Sequence, residues 1–262
     1  MSRFLIATIS ALAAMGIAVW AAEGAMRMWL AVSIVVVYAA LIGIGVAFIR
    51  MDFFCKALHR GPAHDARAAL TFDDGPDGAV TPRILDVLKS HNVRATFFCI
   101  GQRAIENPDV AKRIVSEGHE IGNHTFSHGW WSNLLLARAL AMEMSHAQEA
   151  IASTTGIAPR YFRPPMGLTN PHTRRALGEV GLGLVGWDVR SFDRGAEPDA
   201  VIDRVVDRVR PGSIVLLHDG GVDADSAVEV VSGIISRLKA KGFTFCTVSE
   251  LAGAPDGPEE AS

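Results

Sequence analysis

The chain has little cysteine and little tyrosine, three and two residues of 262. Cys55, Cys99 and Cys246 lie far apart and lack the paired spacing of a cysteine-ligated metal centre, which argues against that class of site. Cys99 and Cys246 sit in apolar runs, TFFCI and FTFCTV, and read as small core residues. Excess charge of either sign is also missing. A net charge of −3 and a pI near 6.3 give no basic field, so no nucleic-acid partner is expected. No internal repeat is visible, which argues against a repeat array.

Apolar sequence, in contrast, is abundant at one end. Mean hydropathy is +0.24, and the excess lies at the N-terminus. Residues 4–22 are almost wholly apolar, residues 23–28 interrupt them with Glu23, Gly24 and Arg27, and residues 29–49 are apolar and uncharged again. Each run is about long enough to cross a bilayer as a helix. Trp20 and Trp29 fall where interface aromatics belong. A signal peptide with Arg3 as its basic head and small residues at Ala21 and Ala22 is the alternative. The second apolar run follows at once and favours a two-span hairpin in a bacterial inner membrane, with membrane lipid as a partner. Arg3 precedes the first span, Arg50, Lys56 and Arg60 follow the second, and only Arg27 lies between. The positive-inside rule then puts both ends and the domain in the cytoplasm, whereas a single span would put the domain outside. The sequence alone leaves the side open. The expected organisation is two transmembrane helices over 1–50, a juxtamembrane connector over 51–65, a catalytic domain over 66–252 and a disordered Gly/Pro/acid tail over 253–262.

Residues 66–252 alternate strand-like and helix-like stretches. Strands are expected at 68–72, 95–100, 120–122, 161–163, 182–187, 213–217 and 243–248. Helices are expected at 81–90, 108–117, 134–155, 171–178, 200–209 and 224–241, several of them closed by glycine. Strict alternation predicts an α/β fold, a (β/α) barrel of about seven parallel strands whose chemistry sits at the C-terminal strand ends.

The polar residues follow that expectation. The run ending at Phe72 is stopped by Asp73, Asp74, Gly75 and Pro76. Neighbouring side chains on a strand point opposite ways, so two adjacent acids there need two jobs, one as metal ligand and one as base. An Asp-Gly turn with a solvated acid would look the same in isolation. After the third strand comes NHTFSH, with His124 and His128 four residues apart. With Asp74 they make two histidines and a carboxylate, the open ligand set of a catalytic metal site. Arg163 ends the fourth strand before a Pro-Pro turn and suits a carboxylate partner. His218 ends the apolar run 214–217 and suits a general acid. The chemistry that fits is metal-assisted amide hydrolysis: Asp73 takes a proton from water and His218 gives one to the leaving amine.

The motifs TFDDG (71–75), HTFSH (124–128), RPP (163–165) and LLHD (216–219) resemble those of polysaccharide deacetylases of carbohydrate esterase family 4, the NodB-type domain, in type, order and spacing. The resemblance covers residues 66–251. It implies a distorted barrel, a zinc ion or another divalent ion such as Co2+, Ni2+ or Mn2+, and removal of N-acetyl groups from amino sugars. By position it makes Asp73 the base, Asp74, His124 and His128 the ligands, Arg163 the orienter of Asp73, and His218 the acid. It also gives Met166 a backbone role at the oxyanion and puts Leu216 against the acetyl group. One motif departs from the family's Asp-x-x-Asp-Trp. Aligned on Trp187 it supplies Arg190, Asp193 and Arg194, with Asp193 kept to pair with His218. Arginine stands where a groove tryptophan is usual, and Arg190 and Arg194 suit a phosphate. The expected substrate is thus a membrane-proximal polysaccharide or glycolipid. A deformylase or deacylase of a polyprenyl-phosphate-linked amino sugar is the alternative within the class, and a non-catalytic membrane-anchored carbohydrate-binding protein the alternative outside it.

Overall fold

The computed structural model describes residues 2–63 and 65–253. All but Gly253 of the expected tail lies outside them. Helices α1 (Arg3–Ala21) and α2 (Gly24–Ala47) open the chain. Both are long and apolar enough to cross a membrane, and almost none of either is buried, unlike a core helix of a soluble domain. They form an antiparallel hairpin. Thr8 Oγ1 meets Tyr38 Oη at 2.8 Å, and the Phe4 N–H donates to Phe53 O at 2.9 Å. The start of α1 and the end of α2 therefore lie together, beside the domain.

The domain is a curled parallel sheet: β1 (Arg67–Asp73), β2 (Thr96–Cys99), β3 (Glu120–Asn123), β4 (Tyr161–Phe162), β5 (Gly183–Leu184), β6 (Val189–Arg190), β7 (Ile214–His218) and β8 (Thr244–Phe245). Their order is β5-β4-β3-β2-β1-β7-β6, with β8 added beside β1. Every ladder is parallel. Among the described residues no ladder joins β5 to β6, so the barrel stays open there. Eight helices cover the sheet or its rim: α3 (Thr81–Ser90), α4 (Gly101–Glu106), α5 (Pro108–Ser116), α6 (Ala137–Thr155), α7 (Thr173–Val180), α8 (Pro198–Arg208), α9 (Ala224–Ala240) and α10 (Val248–Ala252).

Strand alternation sorts the core into two bodies. Leu70, Phe72, Phe97 and Leu217 face a cluster built with Ile84, Leu88, Val205 and Ile234 of the outer helices. Ala69, Phe98 and Leu216 face the other cluster, with Phe162, Leu184 and Trp187. Thr71 and Asp73 share that inner face with Ala69, so a buried partner on it reaches both.

Several expected elements shift. Of the strand expected over 182–187 only β5 forms, and β6 starts beyond it; Val185 and Gly186 meet Leu58 instead, the Gly186 N–H donating to Leu58 O at 2.9 Å, and Trp187 turns into the core. The strand expected over 243–248 is only two residues. Thr247 and Glu250 form a capping box that starts α10 there. Helix α4 was not anticipated, and the helix expected from 134 starts at Ala137 after a 3-10 turn at Trp130–Leu134.

The segment expected as a connector is part of the domain. The Leu58 N–H donates to Leu184 O at 2.8 Å and the Gly61 N–H to Gly212 O at 2.8 Å, so residues 58–61 lie against the open side of the barrel. Ile49 and Ala57 are buried in the inner cluster. Burying a side chain the size of isoleucine stabilises by roughly 2 kcal/mol, and one kcal/mol moves the melting point of a domain this size by about 2–4 °C. A soluble form starting at residue 48 is therefore expected to melt at least about 5 °C above one starting at residue 61 in thermal unfolding.

Candidate active site

Ladder register brings the strand ends level. Asp73 pairs with Phe98 of β2 and with His218 of β7, and Asn123 of β3 pairs with Cys99. Ten of the twelve residues singled out in the sequence line one cavity of about 240 Å3: Asp73, Asp74, His124, His128, Met166, Trp187, Arg190, Arg194, Leu216 and His218. The other two, Arg163 and Asp193, stand behind it and touch Asp73 and His218.

Arg163 is wholly buried. Its Nη1 donates to Asp73 Oδ1 and to Thr71 Oγ1, each at 2.7 Å, and its Nη2 donates to Gly186 O at 2.8 Å. The guanidinium lies 4.1 Å from the centre of the Phe98 ring. Burial pulls the Arg163 pKa down, and Asp73 offsets part of that. Thr71, two residues before Asp73 on the same face, is a partner that sequence reasoning missed; its signal is a hydroxyl inside an otherwise apolar buried strand.

Asp74 takes a left-handed backbone, φ 76°, which turns it out of the ladder. Its Oδ1 faces His124 Nε2 at 3.3 Å and His128 Nε2 at 3.0 Å. His124 Nδ1 lies 2.7 Å from Arg163 O. A carbonyl only accepts, so Nδ1 carries the hydrogen, and in the neutral ring Nε2 presents a lone pair. Asp74 Oδ1 is buried without a hydrogen-bond partner among the described residues. Lone pairs thus converge from three ligand atoms within 4.8 Å of one another. That is the donor set a divalent cation fits, two imidazoles and one carboxylate oxygen. Burial raises the Asp74 pKa, but the facing imidazoles win and hold it well below the usual carboxylate range. Burial lowers His124, and Asp73 and Asp74 more than reverse this.

At the far wall, His218 Nδ1 lies 2.7 Å from Asp193 Oδ1, and the His218 N–H donates to Asp193 Oδ2 at 2.8 Å. Ser191 Oγ donates to the same carboxylate at 2.9 Å. Burial raises Asp193, but these bonds, His218 first, hold it low. With Nδ1 engaged, Nε2 is the free face of the ring. Leu216 and Trp187 are buried walls, and Met166 is exposed at the rim in a left-handed backbone, φ 58°. Among the described residues, five of the seven non-glycine residues with positive φ belong to this site or its edge: Asp74, Thr125, His128, Met166 and Phe192. Such strain collects where side chains must be aimed.

Arg194 was read as a groove residue open to phosphate. The structure instead sets its guanidinium on Asp74 Oδ2, with a second bond to Gly220 O at 3.2 Å. It lies there because Gly221, φ 69°, brings the loop after β7 against it. Arg190 remains on the cavity wall, over Phe192 at 4.8 Å and Trp187 at 5.9 Å.

A protein-family model described as polysaccharide deacetylase matches residues 60–185. A peptidoglycan-N-acetylglucosamine deacetylase of Bacillus cereus is 38% identical over 195 residues, covering 73% of this chain and 70% of that protein. The chain belongs to the polysaccharide deacetylase family. A crystal structure of a peptidoglycan N-acetylglucosamine deacetylase superposes on this polysaccharide deacetylase with a TM-score of 0.71 at 35% identity, over 76% of this chain and 94% of the other. A family pseudoenzyme from Bacillus anthracis superposes at 0.69 with 30% identity, over 75% and 69%. The polysaccharide deacetylase fold therefore does not by itself carry turnover; the groups at the site decide it.

Asp219, next to His218, was not singled out from the sequence. It is fully buried, accepts from Thr81 Oγ1 at 2.7 Å, and has Oδ1 unpartnered. Any side chain at Gly75 would overlap its carboxylate. Burial, with Asp74 and Asp73 nearby, pushes its pKa up to about 7 from 3.8. The fold therefore binds a proton that the unfolded chain releases near pH 4, and stability falls as pH rises through that window. In metal-free protein, Asp219→Asn should raise the melting temperature more at pH 8 than at pH 5; an equal change at both would contradict the assignment.

Proposed function

We propose that the protein is a metal-dependent hydrolase that removes N-acetyl groups from amino sugars of a membrane-proximal polysaccharide or glycolipid. The observation that carries this is the joint presence of a convergent Asp74–His124–His128 donor set, a carboxylate fixed by Arg163 and an imidazole fixed by Asp193, all on one cavity. Asp74, His124 and His128 would hold a divalent ion, zinc first among the candidates, which would supply Lewis-acid chemistry for polarising the acyl carbonyl and acidifying water. The chain's own residues do the rest. Asp73 takes the proton of the attacking water at Oδ2, while Arg163 holds Oδ1 and keeps the carboxylate aimed. The Met166 backbone N–H donates to the tetrahedral oxygen. His218 passes a proton from Nε2 to the nitrogen as the C–N bond breaks, giving a carboxylate and a free amine. Trp187 and Leu216 bound the acyl pocket, and Arg190 lies on the sugar side.

The test uses purified protein with zinc, supplied with N-acetylglucosamine oligomers. Asp73→Asn is expected to lower acetate release at least about a hundredfold while still binding one zinc. Asp74→Ala is expected to lose the zinc itself, read by metal analysis after dialysis. An Asp73→Asn protein as active as the parent would sink the assignment of the base. Metal bound without acyl release from any substrate would favour the carbohydrate-binding alternative.

The hairpin is proposed to span the inner membrane. Its two ends share one side with the domain, and that side carries Arg3, Arg50, Lys56 and Arg60 against Arg27 at the tip. The positive-inside rule then makes the domain cytoplasmic. A C-terminal epitope tag should resist protease in spheroplasts and be digested once the membrane is opened. Digestion in intact spheroplasts would place the domain outside.

A further inference from the structure

A second cavity, of about 560 Å3, adjoins the catalytic one and shares Trp187 and Arg190 with it. Five arginines line it: Arg50, Arg60, Arg190, Arg208 and Arg210. Eight arginines elsewhere pair with carboxylates. These five pair with none among the described residues. The acid present, Asp188, is already occupied by neutral donors: Ser213 Oγ at 2.8 Å and the Ile214 N–H at 2.9 Å.

Three of the arginines are also held in place. Arg60 donates to Pro211 O through Nε and Nη2, at 2.9 and 2.6 Å, and Arg50 donates to Asp188 O at 3.2 Å. Carbonyls fix these groups without neutralising them, and each keeps N–H groups to spare. The Arg190 guanidinium lies 4.8 Å from the centre of the Phe192 ring. Several like charges around one hollow repel one another, and the arrangement is relieved when an oxyanion enters. Pyrophosphate and phosphate esters are the anions whose oxygens such forks match.

We propose that this cavity binds the phosphate of a phosphate-linked amino sugar, so that one substrate fills both hollows, with the sugar in the catalytic cavity and its phosphate among the arginines across Arg190. This deepens the deacetylase reading and rests on it for the identity of the sugar end. The shared chemistry is a sugar 1-phosphate ester, from either a polyprenyl-phosphate lipid or a nucleotide diphosphate sugar. Arg50 follows the end of α2 directly, in the 3-10 turn Ile49–Met51, so a lipid chain leaving the phosphate has the hairpin beside it.

The test uses the full chain in detergent micelles. Arg208 and Arg210 are exposed and do not line the catalytic cavity, so Arg208→Gln/Arg210→Gln is expected to fold, and Arg208→Lys/Arg210→Lys should restore part of any loss. After removal of metal by chelator, N-acetylglucosamine 1-phosphate is expected to bind by calorimetry about tenfold more tightly than N-acetylglucosamine, and the Gln pair should abolish the difference. Equal affinities, or a preference the Gln pair leaves intact, would overturn the phosphate site whatever the protein hydrolyses. With zinc restored, acyl release is compared on chito-oligosaccharide, a polyprenyl-phosphate N-acetylamino sugar and UDP-N-acetylglucosamine. The Gln pair should raise KM about tenfold on the phosphate-linked substrate that is turned over and leave the neutral oligomer within twofold; that substrate identifies the source. Phosphate binding lost in the Gln pair, with no acyl release from any substrate, would keep the anion site and defeat the deacetylase reading.

Discussion

The site depends on one buried guanidinium. Arg163 has no exposed surface, and its two Nη groups donate to Asp73, to Thr71 and to the Gly186 carbonyl. Those contacts tie β4 to β1 and to the break after β5, across the inner face of the sheet. A buried ion pair is a poor source of stability, because desolvating both charges costs about what their attraction returns. Removing one partner is a different matter, since it strands the other charge. Geometry is therefore what the pair supplies. The same residue's carbonyl fixes the His124 tautomer, so one position governs both the proposed base and one proposed ligand.

Much of this was legible in sequence because strand ends are where short apolar runs stop. The runs ending at Asp73, Asn123, Arg163 and His218 needed only a period and a stop signal, and the structure levels those ends side by side. Residues 182–194 were harder. Gly186 looks like an ordinary strand glycine until His59 arrives from more than a hundred residues earlier. Arg194, read as a groove residue from its place in the motif aligned on Trp187, does line the cavity, but its guanidinium meets Asp74, 120 positions away. Asp219 is invisible for a similar reason, since nothing local reports that it will be wholly buried. Local pattern carries the elements and their ends, whereas close approach between distant segments fixes where the remaining polar groups point.

The hairpin and the site are one assembly. The Thr169 N–H, three residues beyond Met166, donates to Val46 O near the end of α2 at 3.3 Å. Ile49 packs in the same cluster as Trp187 and Leu216. The apolar helices are thus docked beside the walls of the cavity. An anchor held on a long, loose tether would leave the mouth free to sample any orientation. Here backbone hydrogen bonds hold the two helices at a fixed attitude to the mouth.

The pairing of Asp73 with His218 in neighbouring parallel strands has a further meaning. Adjacent strands lie about 4.8 Å apart, so the gap between the proposed proton acceptor and proton donor is a property of the ladder, and no loop sets it. Loops beyond the strand ends are free to lengthen, change charge or recruit new partners while that gauge stays constant. A scaffold of this kind separates the part that does the chemistry from the part that chooses the molecule, and lets the second drift without detuning the first.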